Sequence, residues 1–165
     1  MVYILEKINN RLVEAEIVLA EKKEIPLKKD GWNFGWRQLS RKGETQLYVL
    51  KLIKSDRLVE GAMLLKIAEG MFIMDVLEVA PYNIEKTKRY DYVAGSLIAF
   101  ACRESFKLEG NYKGFLTFVS KTELIDWYIE KYGAELALGQ RMFIDWENGN
   151  KLIEKYLNRN GDKNE

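Results

Sequence analysis

The sequence has no histidine, a single cysteine and two prolines in 165 residues. Without histidine there is no serine–histidine or cysteine–histidine nucleophile system and no imidazole ligand for a metal. A zinc site would have to be built from carboxylates with little help, so no metal is expected. Any general acid or base must be Asp, Glu, Lys, Tyr or water. Cys102 has no partner for a disulfide within the chain, which fits a reducing compartment. Its setting, IAFACRES, reads as the middle of a helix, where a thiol is a small core residue. No apolar run reaches the roughly 20 residues needed to cross a bilayer. The opening MVYILEKINNR carries charge where a secretion signal needs an unbroken apolar stretch. A formal net charge of +1 offers no bulk attraction to nucleic acid or to a membrane surface. A cytoplasmic protein is the expectation.

Hydrophobic residues make up 47% of the chain and charged residues 31%, the proportions of an ordinary globular domain. The length suits one domain, expected over residues 1–158 with a polar tail at 159–165. The organising stretch runs from Phe72 to Leu108. It opens with FIMDVLEVAP, an almost continuous apolar run between Gly70 and Pro81, which predicts a strand buried on both faces. After the polar connection NIEKTKRYDY, the segment VAGSLIAFACRESFKL places Ala94, Leu97, Ile98, Ala101 and Ser105 at helical spacing. Asp91 is placed to be the N-cap, its carboxylate on the N–H of Val93 or Ala94. A strand leading through a basic loop into a helix start is a recurring way to hold phosphate, because the first helical N–H groups lack partners and sit at the positive end of the dipole. Lys86, Lys88 and Arg89 add cations there.

Before this stretch, Leu12–Ala20, Gln46–Ile53 and Leu58–Ile67 read as strands, the last two a hairpin through Lys54-Ser55-Asp56. In GWNFGWRQLS, Trp32, Trp36 and Leu39 are spaced for one short helix interrupted by Gly35. Beyond Gly110, Gly114–Ser120 predicts a strand parallel to the one containing Val79, since a helix joins them. Ser120 and Glu123 have capping-box spacing ahead of a helix over Lys121–Tyr132. Short strands at Ala134–Ala137 and Gln140–Ile144 and a last helix carrying Leu152, Ile153, Tyr156 and Leu157 complete the pattern. The expected fold is a single α/β domain: a mixed, mostly antiparallel, twisted sheet with flanking helices and one parallel crossover.

Three segments in register resemble the GNAT superfamily of acetyl-CoA-dependent N-acetyltransferases, over roughly residues 46 to 145. Leu77-Glu78-Val79-Ala80-Pro81 resembles the end of the family's central strand. Arg89-Tyr90-Asp91-Tyr92-Val93-Ala94 resembles its Gln/Arg-x-x-Gly-x-Gly/Ala pyrophosphate loop, with Tyr92 where the family prefers glycine, and Gly95-Ser96-Leu97 continues as the family's helix does. Trp127 to Ala134 resembles the Tyr-Glu-Lys-x-Gly-Phe segment, and Arg141 to Asp145 the closing strand. The connection from Pro81 to Tyr92 is longer than the family's loop, and residues 21–44 have room for little more than one short helix where the family usually has two.

The resemblance implies acetyl transfer from acetyl-CoA, as cosubstrate, to an amine of a small molecule or protein. It implies a bulge in the central strand and a splay from the next parallel strand, with backbone groups of Leu77, Glu78 and Val79 meeting the pantetheine arm. Lys88, Arg89, Tyr92, Val93, Ala94, Gly95 and Ser96 would hold the pyrophosphate. Tyr128 would protonate the departing thiolate, although its place on the apolar stripe of its helix suits a core tyrosine equally. Glu78, or less favourably Asp75, is the expected base, each able instead to pair with a lysine. Trp32, Phe34 and Trp36 could wall an acceptor pocket or simply be core. No nucleic acid or membrane is expected as partner; a homodimer is left open. The alternative is a domain of the same fold that binds a coenzyme A-like ligand or a protein without catalysis.

Overall fold

A computed structural model of the chain describes residues 1–54, 59–84 and 88–159. Nine strands form one sheet in the order β6-β1-β2-β3-β4-β5-β7-β9-β8. They are β1 (Val2–Glu6), β2 (Arg11–Leu19), β3 (Thr45–Leu52), β4 (Val59–Ala68), β5 (Met71–Val79), β6 (Tyr90–Asp91), β7 (Leu116–Val119), β8 (Glu135–Leu138) and β9 (Arg141–Ile144). All neighbours pair antiparallel except β5 and β7, which run parallel across the helical crossover. Ser55 and Asp56 of the expected hairpin turn, and Lys86, lie outside the described residues.

The helices are α1 (Trp36–Leu39), α2 (Val93–Ser105), α3 (Ile125–Tyr132) and α4 (Trp146–Leu152), the last continuing as a π-helical turn over Ile153–Leu157. Side chains of a strand alternate between faces, so the sheet builds two cores. On one face α2, α4 and the π-helical turn cover Met63, Leu65, Phe72 and Met74. On the other, Trp32 and Trp36 pack with Leu47, Val49, Ala62, Leu64 and Ala80. α2 is apolar nearly all round, with Leu97, Ile98, Ala99 and Ala101 fully enclosed. Each large aliphatic side chain enclosed this way contributes about 1.5–3 kcal/mol. Gly61 of β4 admits α2 closely: a Cβ there would lie 2.7 Å from Val93 Cγ1 and 2.8 Å from Leu97 Cδ1.

Several local expectations change. β1 forms from VYILE, a short run of strand-forming residues to which the sequence expectations assign no element. The capping box does not form. Ser120 Oγ donates to Lys121 O at 2.8 Å, and α3 starts at Ile125 after a 3-10 turn over Thr122–Leu124. The stripe on α3 is only partly covered, with Tyr132 buried but Leu124 and Ile129 exposed. β5 is not buried on both faces throughout, since Asp75 is exposed and pairs with Lys66 at 3.4 Å. Cys102 is buried in α2, and burial pushes its thiol up to about 12.

Candidate functional site

The site begins where β5 loses a neighbour. Its ladder with β7 comprises Phe72–Leu116 and Ile73–Thr117, yet β5 continues to Val79. Opposite β4 the register shifts so that Leu64 faces Val76 and Leu65 faces Met74, leaving Asp75 as the extra residue of a bulge. The bulge bends β5 where it parts from β7. Ala80 donates its N–H to Glu60 O of β4 at 2.9 Å. Successive N–H groups of a strand point to opposite edges, so Glu78 also turns its backbone to β4. Leu77 and Val79 turn theirs the other way, into the gap left by β7. Of the three backbone positions expected from the sequence, these two face the gap and Glu78 does not.

The start of α2 stands over Gly61, the residue opposite Val79, so the helix N-terminus and the gap adjoin. Asp91 does not cap the helix. Its Oδ1 accepts the N–H of Tyr92 at 2.8 Å and pairs with Lys88 at 3.5 Å. Burial pushes the Asp91 carboxyl up, but the Tyr92 N–H and the Lys88 and Lys131 ammonium groups outweigh it and hold it below the usual range. The N-cap is Tyr92, at φ 73°, and no side chain caps the first turn. Tyr92 thus adopts the left-handed backbone that glycine takes without strain, at a cost of about 1–2 kcal/mol. Two contacts hold it there. Arg159 Cζ lies 4.0 Å above its ring, and Tyr156 packs edge-on at 6.1 Å.

Around this corner, Ser96 Oγ is fully buried and has no hydrogen-bond partner among the described residues. Lys131 lies over the Trp127 and Tyr132 rings. Among the described residues the cations near this corner are Lys88, Lys131 and Arg159, with Lys155 over the Tyr156 ring at 5.3 Å. Arg89 turns towards Tyr82, its guanidinium 5.2 Å from that ring. Lys131 and Arg159 come from segments distant in the chain, and the sequence pattern places Arg159 in the polar tail. Tyr128 sits on α3 against Phe118 of β7, ring centroids 4.8 Å apart, and burial raises its hydroxyl pKa.

On the opposite face, Glu78 is 8% exposed and its carboxylate is filled by donors. Oε2 accepts the Asn33 N–H at 2.7 Å; Oε1 accepts the Phe34 N–H at 3.2 Å and Trp36 Nε1–H at 2.8 Å. Glu78 therefore ties residues 33–36 to the sheet. A second buried carboxylate, Glu60, lies diagonally across on β4, accepting from Asn83 Nδ2 at 2.9 Å and from Tyr82 Oη at 3.3 Å. Burial raises its pKa, and Asn83, Tyr82 and Arg89 offset this only in part. A buried glutamate inside an apolar strand is a signal the sequence does carry, at VEGAMLL. Among the described residues no group of His, Cys, Asp or Glu side chains could hold a metal, and no helix is long and apolar enough to cross a membrane.

No protein-family model matches the chain, and no curated protein does. Solved structures do. The KacTA–DNA complex aligns with TM-score 0.59 at 13% identity, over 86% of this chain and 99% of that one. AtaTR bound with acetyl-CoA aligns at 0.57 and 14%, over 84% and 98%. The spermidine N-acetyltransferase of Vibrio cholerae in complex with CoA and spermine aligns at 0.54 and 12%, over 82% and 98%. At these identities the likeness is one of fold, and the fold is that of the GNAT N-acetyltransferases.

Proposed function

We propose that the protein is an acetyl-CoA-dependent N-acetyltransferase acting on an amine. One observation carries the reading: β5 parts from β7 after Ile73, which among the described residues leaves the outward backbone of Leu77 and Val79 unpaired beside a helix start that no side chain caps. A thioester with a pantetheine arm and a pyrophosphate needs that pairing of features, a free strand edge for the amide-bearing arm and converging N–H groups for the anion. The cations Lys88, Lys131 and Arg159 fit the anion as well, whereas Ser96, fully buried in the core side of α2, does not face it. Neighbours of the same fold are described with CoA or acetyl-CoA bound, which supports the choice of cosubstrate.

Acetyl-CoA, when bound, supplies an activated acetyl group as a thioester. Val79 and Leu77 offer N–H and C=O groups to hold the arm and polarise the carbonyl. The first-turn N–H groups of Val93, Ala94 and Gly95 face the phosphates, with Lys88 balancing Asp91. Tyr128 carries its proton at neutral pH as any phenol does, and burial raises its pKa further, so its Oη would be the proton donor to the departing sulfur. Of the expected bases, Asp75 is exposed and paired with Lys66 and Glu78 is occupied, so the geometry favours water as the proton acceptor. Glu78 spends its oxygens on three N–H groups, and its part is to position residues 33–36 on the acceptor face.

The test is thiol release from acetyl-CoA across a panel of amines, with Tyr128→Phe beside the wild type. Removing one hydroxyl leaves packing nearly intact. Turnover should fall roughly 10²-fold or more while affinity for CoA barely changes. Normal turnover in the variant returns Tyr128 to the core. CoA binding without thiol release on any amine makes the protein a non-catalytic binder of the same fold.

A further inference from the structure

Glu60 takes no part in the proposed transfer, yet it is fully enclosed, and Asn83 beside it is 2% exposed. β4 carries a bulge there: Leu50 faces Gly61 and Lys51 faces Val59, which leaves Glu60 as the extra residue. Its side chain reaches the connection that follows β5. A buried carboxylate seldom stabilises a fold more than a well-packed apolar side chain would. Its value lies in what it fixes.

What it fixes is Asn83. Asn83 Nδ2 donates to Glu60 Oε1 at 2.9 Å and lies 3.4 Å from Glu60 O, while the Asn83 N–H donates to Ala80 O at 2.8 Å. With Nδ2 held by β4, Oδ1 faces the other way and accepts the Tyr90 N–H at 3.1 Å. Tyr90 belongs to β6, the border strand of the sheet. Arg89 O takes the Lys7 N–H just past β1, so the Tyr90 N–H points away from β1, where no further strand of the described residues lies. Asn83 supplies that edge group with a partner. The chain Glu60–Asn83–Tyr90 therefore joins β4, in the middle of the sheet, to β6 at its border. Tyr82 braces the same connection: its Oη donates to Val59 O at 2.7 Å, and its O accepts the Arg89 N–H at 3.3 Å.

β6 leads straight into the cofactor corner. Asp91 holds the Tyr92 N–H and pairs with Lys88, and Tyr92 is the N-cap of α2. Only Tyr90 and Asp91 pair with β1, a ladder too short to set that start by itself. Groups that bind a ligand keep their aim when other side chains lock the elements that carry them. We propose that Glu60 and Asn83 are the positioning pair of this corner: a tie from β4 that fixes β6, and with it the aim of the first-turn N–H groups of α2 and the reach of Lys88. Neither residue touches the ligand. The proposal rests on the coenzyme A reading of the corner and concerns affinity, not the chemistry at Tyr128.

Calorimetric titration of the full chain with CoA tests it. Asn83→Asp keeps an acceptor for the Tyr90 N–H but sets a second carboxylate against Glu60, and CoA affinity should fall about fivefold or more. Glu60→Gln alone keeps an acceptor for Asn83 and should leave the affinity within about twofold of wild type. Together the two substitutions reverse the hydrogen bond, the new amide at position 60 donating to the new carboxylate at position 83. Affinity should then return to within about twofold of wild type, whereas two independent lesions would add. Asn83→Ala, which brings no carboxylate beside Glu60, should show the same loss as Asn83→Asp and guards the test against a variant that does not fold. A folded Asn83 variant that binds CoA as wild type does, or a double variant no better than Asn83→Asp, overturns the proposal and leaves the transferase reading standing. A wild-type protein that binds no CoA at millimolar concentration removes the cofactor reading and the positioning role with it.

Discussion

Glu78→Gln is the sharpest perturbation of the acceptor face. The carboxylate receives three N–H groups on two oxygens, Asn33 on one and Phe34 with Trp36 Nε1 on the other. A glutamine has one oxygen. Set at the doubly bonded position, it keeps two contacts as neutral hydrogen bonds and turns its NH2 against the Asn33 N–H. The opposite orientation loses two contacts instead of one. The cheaper arrangement forfeits one charge-assisted bond, about 1.5–3 kcal/mol, and weakens two others, for a total of about 2–4 kcal/mol. In a chain of this length 1 kcal/mol moves Tm by about 2–4 °C, so a fall of roughly 4–16 °C is expected. Scanning calorimetry reads the Tm, and tryptophan fluorescence reports whether Trp36 has lost its partner. A Tm within about 2 °C of wild type, with turnover abolished, would refute the positioning role and make Glu78 the base.

Gly95→Ala should lower Tm: the new Cβ would fall 2.3 Å from Cζ of the buried Tyr156 ring, and overpacking of about 1–3 kcal/mol works against the helix-propensity gain of about 1 kcal/mol. The net cost is about 0–2 kcal/mol, a fall of at most about 8 °C, and pairing the change with Tyr156→Leu should recover part of it. Asp91→Asn should keep the bond to the Tyr92 N–H and lose the Lys88 pair, costing at most about 1 kcal/mol, while CoA binding tightens about threefold or more at low salt; unchanged affinity would place the phosphates away from α2. Glu60, whose pKa burial raises, contributes stability that is full below the ordinary carboxylate range and lost as pH rises through its raised pKa. Glu60→Gln can still accept from Asn83 and donate to Tyr82 Oη, so its Tm should exceed wild type at about pH 8 and the difference should shrink towards about pH 5; a constant difference would refute the buried charge.

Much of the frame was legible because it rests on local pattern. The apolar run between Gly70 and Pro81, the helical stripe after Tyr92 and the strand behind Gly114 together imply the parallel crossover that the sheet contains. The parting of β5 from β7 is an absence of pairing between distant segments, and nothing local in Val76 or Val119 announces it; it was anticipated from resemblance alone. Asp91 was placed one residue wrong as a cap because a left-handed tyrosine is rare. The Arg159 guanidinium that stacks on Tyr92 lies 67 positions along the chain. Glu78 was recognised as buried, but its donors come from residues 33–36, an irregular segment whose path over the sheet has no periodicity to read. Glu60 was overlooked inside a strand that otherwise reads as plain core.

The central claim is that the gap beside β5 and the start of α2 form one binding site. A backbone amide NMR titration of the 15N-labelled protein with CoA tests it most directly. Saturable shifts should be largest at the N–H groups of Leu77, Val79, Val93, Ala94 and Gly95, with Glu78, turned towards β4, moving less. Saturable binding whose shifts leave those N–H groups unmoved, or no binding at millimolar CoA, would contradict the account.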